Sequence, residues 1–143
     1  MTDELRERKY AQIPELEVRN LCKYFPAGKG RVLKAVDDVS FVIRKGQTLG
    51  IVGESGCGKT TCGKTCIGML MKNSGEVLFQ GQDVHGMSKK ERFAFTSKVQ
   101  MIFQDPQASL NERAKVDYII SEGLLNIEKG IGEADRKARV EQA

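Results

Sequence analysis

Apolar and polar residues alternate over Leu16-Glu17-Val18-Arg19-Asn20-Leu21, the period-two pattern of a strand with one buried face. A second β stretch carries Val36, Val39, Phe41 and Ile43 and ends at a Lys45-Gly46 turn. Between the two, Pro26 to Arg31 (PAGKGR) is a glycine-rich, basic loop. Thr48-Leu49-Gly50-Ile51-Val52 is a short apolar run of the kind found in buried strands, and the residues after the loop that follows, Thr61 to Leu70, predict a helix. Asn73-Ser74-Gly75 predicts a turn into a strand over Glu76-Val77-Leu78-Phe79, closed by Gly81-Gln82. Ser88 with Glu91 three residues on predicts a capping box at the head of a short basic helix. Val99 to Phe103 reads as another buried strand, running into Gln104-Asp105-Pro106-Gln107, where Pro106 ends regular structure. Val116, Ile119, Ile120, Leu124 and Leu125 fall on one helical face, and residues 133–143 read as a charged helix. Residues 1–14 read as a flexible leader ending at Pro14, and no segment repeats another.

This order, β-rich first, then strand–loop–helix, then strands and helices, predicts an α/β chain with a small antiparallel layer beside a mainly parallel sheet. A parallel sheet needs helices on both faces and more strands than are found here, so the domain reads as partial.

The segment between the Thr48–Val52 run and the helix carries the chemistry. Gly53-Glu54-Ser55-Gly56-Cys57-Gly58-Lys59-Thr60 has the form G-x-x-x-x-G-K-[ST], the phosphate-binding loop of nucleotide triphosphatases. Polyphosphate carries several charges and many acceptor oxygens, which successive backbone N–H groups around one concavity can hold. The glycines permit positive φ and close backbone approach. The helix starting near Lys59 aims its unsatisfied N–H groups and positive dipole end at the same point. Lys59 is the cation for the β- and γ-phosphates, Thr60 the hydroxyl for Mg²⁺, and Thr61 a further hydroxyl for the α-phosphate.

Composition narrows the class without deciding it. At 143 residues, 40% hydrophobic and 29% charged, the chain is ordinary for a globular domain, and its net charge of +4 argues for no particular partner. No run of 18 apolar residues is present, and the N-terminus, MTDELRERKYAQ, lacks an apolar signal core. Cys22, Cys57, Cys62 and Cys66 match no zinc spacing, and the single histidine, His85, reads as a solvated loop residue. Cys62 and Cys66, one helical turn apart, read as small apolar residues facing the sheet. Cys57, inside the loop beside a lysine, is either an alkylatable thiol whose modification blocks nucleotide or an inert loop residue.

AVDDVSFVIRKGQTLGIVGESGCGKTT, SGEVLFQGQDV and VQMIFQDPQASLNERAKV together resemble the ATP-binding subunit of ABC transporters, in the group serving oligopeptide, dipeptide and nickel importers. The likeness runs from about Leu16 to the C-terminus. It implies a P-loop NTPase (RecA-like) core with an antiparallel β-layer, truncated at the start of the helical subdomain, with residues 15–143 a partial nucleotide-binding domain. It implies ATP and Mg²⁺ as cofactors. Gly53, Glu54, Ser55, Gly56, Cys57, Gly58, Lys59, Thr60 and Thr61 match the Walker A loop. Gln104 matches the glutamine that reaches Mg²⁺ and the attacking water beside the permease contact. The aromatic residue that stacks on adenine falls at Tyr24 or Phe25, and Phe25, two after the lysine, fits the spacing better; the alternative is that both rings pack in the β-layer. The implied partners are transmembrane permease subunits and a second ATPase subunit, with no nucleic acid. The implied place is the cytoplasm, peripheral on the inner face of the membrane.

The family's LSGGQ-type signature, its Walker B strand ending in Asp-Glu and its switch histidine have no counterpart in these 143 residues. Glu112 stands where the group commonly has proline. ATP hydrolysis belongs to the family, whereas this chain alone is expected to bind ATP without turnover. One alternative is a non-catalytic fragment that docks on a permease or a full-length subunit. A stand-alone P-loop kinase has no need of the β-rich lead-in, and a GTPase should carry N-K-x-D, which is absent.

Overall fold

A computed structural model of the chain describes residues 13–104, 110–111, 113–128 and 130–142. Most of the expected leader, and Asp105, Pro106, Gln107 and Glu112, lie outside the described residues. The chain divides into two units, one up to Ala94 and one from Phe95.

The first unit is built on a four-stranded antiparallel sheet. Its strands are β1 (Leu16–Pro26), β2 (Val32–Ile43), β3 (Ser74–Phe79) and β4 (Gln82–Asp83), in the order β2-β1-β3-β4. The loop from Ala27 to Arg31 joins β1 to β2 and is closed by hydrogen bonds from Ala27 N–H to the Arg31 carbonyl and from Arg31 N–H to the Gly28 carbonyl. β1 is longer than the alternation of residues 16–21 predicts, because it pairs along its length with β2 from Leu16↔Ile43 to Pro26↔Val32. The alternation breaks at Arg19-Asn20. The register against both neighbours shifts there, and Asn20 takes a positive φ of 47°. This bulge brings Val18 and Leu21, three apart in sequence, both into the core, where they are 1% and 0% exposed.

Helix α1 (Lys59–Cys66) packs against β1 and β2 through Cys62, Thr65 and Cys66, so the two cysteines face the sheet as expected. It ends four residues short of the predicted Leu70. Gly68, at φ 71°, terminates it in a left-handed turn, with Gly68 N–H donating to the Thr65 carbonyl and Met69 N–H to that of Lys64. A 3₁₀ turn, Val84–Gly86, follows β4 and leads to α2 (Lys89–Thr96). α2 opens with the predicted capping box: Ser88 N–H donates to Glu91 Oε2 at 2.8 Å and Glu91 N–H to Ser88 Oγ at 3.4 Å.

The second unit carries α3 (Val116–Ile127) and α4 (Glu133–Gln142). The predicted apolar face of α3 is not its buried face. Val116, Ile120 and Leu125 are exposed, Ile119 and Leu124 are half-buried, and among the described side chains of α3 the fully buried one is Ser121, whose hydroxyl accepts a hydrogen bond from Arg136 of α4 at 3.0 Å.

Two predicted strands are not strands. Thr48–Val52 and Val99–Phe103 have no regular structure, and Val52 and Ile102 are 95% and 96% exposed. A strand exists through the sheet it joins, and neither segment belongs to the sheet of the described residues. The sheet that forms is the antiparallel layer; no parallel pair occurs in it. His85 also departs from expectation. It is half-buried, with its Nε2 3.0 Å from the Thr65 carbonyl near the end of α1 and its Nδ1 buried without a hydrogen-bond partner among the described residues.

Candidate functional site: a phosphate loop beside strand β2

The loop from Gly53 to Gly58 ends at α1, and Gly58 is that helix's N-cap, at φ 96°. No described side chain caps this end, and its first turn has no acidic residue. The N–H groups of Lys59, Thr60 and Thr61 precede the first intrahelical bond, from Cys62 to Gly58, so the helix presents an uncapped, electropositive end. A Cβ at Gly58 would lie 2.0 Å from the carbonyl oxygen of Ala35 in β2. Glycine therefore lets the loop press against the strand.

Lys59 Nζ donates to the carbonyls of Gly53 and Glu54 at 2.7 and 2.6 Å and lies 3.6 Å from Cys57 Sγ. The loop thus wraps its own lysine, holding the ammonium inside its curve. Glu54, Ser55, Gly56, Cys57 and Thr60 are exposed, and Lys59 and Thr61 are half-buried. Lys34, Ala35, Asp37, Leu49 to Val52, Gly58, Lys59 and Cys62 are among the residues bordering one open cleft of about 570 Å³. The chemistry of this site suits a polyanion: backbone N–H donors, a glycine cradle, one lysine and two threonine hydroxyls.

Tyr24 and Phe25 both border a second hollow of about 460 Å³ with Pro26, Val32 and Asn73. Their surroundings differ. The Tyr24 hydroxyl donates to Asp37 Oδ1, and Lys34 Nζ bonds Asp37 Oδ2 at 3.0 Å while lying 5.4 Å from the Tyr24 ring centre. The Tyr24 hydroxyl, with help from Lys34, holds Asp37 below the usual carboxylate range, and Asp37 in return raises the phenol well above its ordinary value. Tyr24 is thus tied into the sheet. Phe25, half-buried, carries Lys23 Nζ 4.8 Å from its ring centre. Sequence spacing alone could not have found the Tyr24–Asp37–Lys34 group, which joins two strands.

Gln104 is exposed and belongs to the second unit. Behind the loop, the far end of α1 is held by groups that the motif does not name. His85 meets the Thr65 carbonyl, and Arg92 donates to the carbonyls of Ile67 at 3.4 Å and Val84 at 2.8 Å. Burial pushes the His85 imidazole below its ordinary value, and the charge of Lys72 adds to this. Burial alone would raise Asp83, but the His85 N–H and Lys72, at 3.2 Å, hold it low. No described helix is long and apolar enough to cross a membrane.

Comparison with known proteins gives the loop its setting. The family model described as "ABC transporter" matches residues 36–143. The chain is 52% identical over 113 residues to the "Putative oligopeptide transport ATP-binding protein YkfD" of Bacillus subtilis, covering 79% of this chain and 34% of that protein. It is 56% identical over 110 residues to the "Oligopeptide transport ATP-binding protein OppF" of the same organism, covering 76% and 36%. It therefore spans about a third of the length of these relatives. Among solved structures it superposes on the ATP-binding cassette MJ0796 bound to ADP and Pi with a TM-score of 0.73 at 20% identity, covering 89% of this chain and 54% of that one. It also superposes on cbiO1 of Clostridium perfringens with a TM-score of 0.66 at 25% identity, covering 92% and 49%. The likeness to MJ0796 is one of fold. With a P-loop NTPase fold, a phosphate loop set against an antiparallel layer, and a family match over most of its length, this chain belongs to the ABC transporter family.

Proposed function

We propose that the chain is the nucleotide-holding part of an ABC importer subunit that powers uptake of oligopeptides or similar solutes. The observation that carries this reading is the uncapped start of α1 with Lys59 gathered inside the Gly53–Gly58 loop. The backbone N–H groups of that loop and of the first turn of α1 would hold the phosphates of ATP. Lys59 would leave the carbonyls of Gly53 and Glu54 for the β- and γ-phosphates, and Thr60 and Gln104 would meet Mg²⁺. The metal, when bound, neutralises charge on the phosphate oxygens.

Phe25 would stack on adenine. Phe25 pairs with Leu33, two residues along β2 from Ala35, whose carbonyl abuts Gly58. Two residues of strand span about 7 Å, a spacing that supports a ring and a phosphate loop serving one nucleotide. Transmembrane permease subunits and a second ATPase subunit would be the partners, at the cytoplasmic face of the membrane.

On this reading the loop would supply phosphate and metal contacts and the isolated chain would bind Mg-ATP without turnover, since polarising the attacking water takes a further carboxylate. Titration calorimetry tests the reading. Lys59→Ala should remove most Mg-ATP affinity with circular dichroism near the parent's, and equal affinity in the two would refute it. Arginine would not replace this lysine, since a planar fork differs from a compact ammonium.

A further inference from the structure

The buried face of α1 carries two thiols that nucleotide binding does not use. Cys62 and Cys66 stand four residues apart, one above the other on the same helix face, and both are free and buried. The two thiols shift each other in opposite directions: Cys66 lowers the Cys62 thiol, while Cys62 raises that of Cys66, which burial raises further. Cys62 also borders the cleft beside the phosphate loop.

The other two cysteines are placed differently. Cys22, on β1, sends its S–H toward the Asn20 carbonyl and accepts the Asp38 N–H at 3.4 Å. Cys57 is an exposed loop thiol beside Lys59.

Geometry sorts the chemistry open to the pair. A disulfide needs Cβ atoms about 3.5–4.5 Å apart. Helix positions four apart hold theirs about 5–6 Å apart. Direct oxidation would therefore pinch the first turns of α1. One larger, soft atom set between the sulfurs requires no such contraction, and thiolates are the ligands that soft metals and metalloids select.

We propose that Cys62 and Cys66 form a dithiol site for trivalent organoarsenicals on the helix that begins at the phosphate loop. In the binding step each thiol gives its proton to one hydroxide on arsenic. Two As–O bonds break, two As–S bonds form and two waters leave. Arsenic stays trivalent and keeps its carbon substituent, so no oxidant or reductant takes part.

The probe is phenylarsine oxide, which is the dihydroxide when hydrated, followed by intact-protein mass on the 143-residue chain. The parent should take up one equivalent that persists in excess 2-mercaptoethanol and is removed by 2,3-dimercaptopropanol, because a two-sulfur chelate outlasts competition by single thiols. Cys62→Ser and Cys66→Ser should each lose this persistence. The double variant Cys22→Ser/Cys57→Ser leaves the pair intact and should keep it. Persistence in either single variant, or its loss in the double variant, would overturn the proposal.

Discussion

Gly58 lies flush against Ala35, with room for no Cβ: one placed there would stand 2.0 Å from the Ala35 carbonyl oxygen. The phosphate loop is thereby seated on β2, and φ at Gly58 is 96°. Gly58→Ala should cost about 1–2 kcal/mol for the left-handed backbone alone. The clash with Ala35 adds to that, because it involves backbone rather than a movable side chain. Thermal melting should show a lowered Tm and calorimetry little or no Mg-ATP binding. A variant with parental values for both would mean that the loop is not seated on β2.

Tyr24 and Phe25 should separate cleanly. Phe25→Ala should weaken ATP and GTP alike, because a ring stacks on any base. Tyr24→Phe removes the bond to Asp37 and should lower Tm while leaving nucleotide affinity near the parent's. Nucleotide titrations of both variants check this, and a larger affinity loss for the Tyr24 change would move the stacking role by one residue.

Gln104 should matter for coupling rather than binding. In a full-length subunit assembled with its permease, Gln104→Ala should leave ATP affinity nearly unchanged and reduce transport-coupled turnover. Transport at the parental rate would remove the role.

His85 should make stability fall with mild acid. Its imidazole is faced by Lys72, Asp83, Arg92 and the Thr65 carbonyl, and burial holds its folded-state pKa below the ordinary imidazole value. A depressed folded value means that the unfolded chain takes up the proton first, so His85 stabilises fully above about pH 6.5 and that contribution is lost as pH falls below it. A neutral His85→Gln side chain should flatten the stability profile between pH 7 and 5. As the one histidine, His85 gives a single imidazole titration by NMR, and a midpoint at or above 6.5 would contradict the burial argument.

The sequence by itself determined whatever depends on neighbours in the chain. The glycine-lysine-threonine spacing marks the phosphate loop, Ser88 and Glu91 mark the capping box, and Cys62 and Cys66 mark the sheet-facing side of α1, because each relation spans at most a few residues. Tertiary structure decided what depends on partners distant in sequence. Thr48–Val52 and Val99–Phe103 have strand composition, yet among the described residues neither joins the sheet, because a strand forms only where a neighbouring backbone aligns with it. The Arg19-Asn20 bulge, which sends Val18 and Leu21 to one side, answers to registers with β2 and β3 rather than to alternation in β1. His85 turns inward because the Thr65 carbonyl, 20 residues earlier, accepts a hydrogen bond from it. Tyr24 is held by Asp37 across the sheet, a pairing invisible to spacing because the two residues meet only once β1 and β2 have set their register.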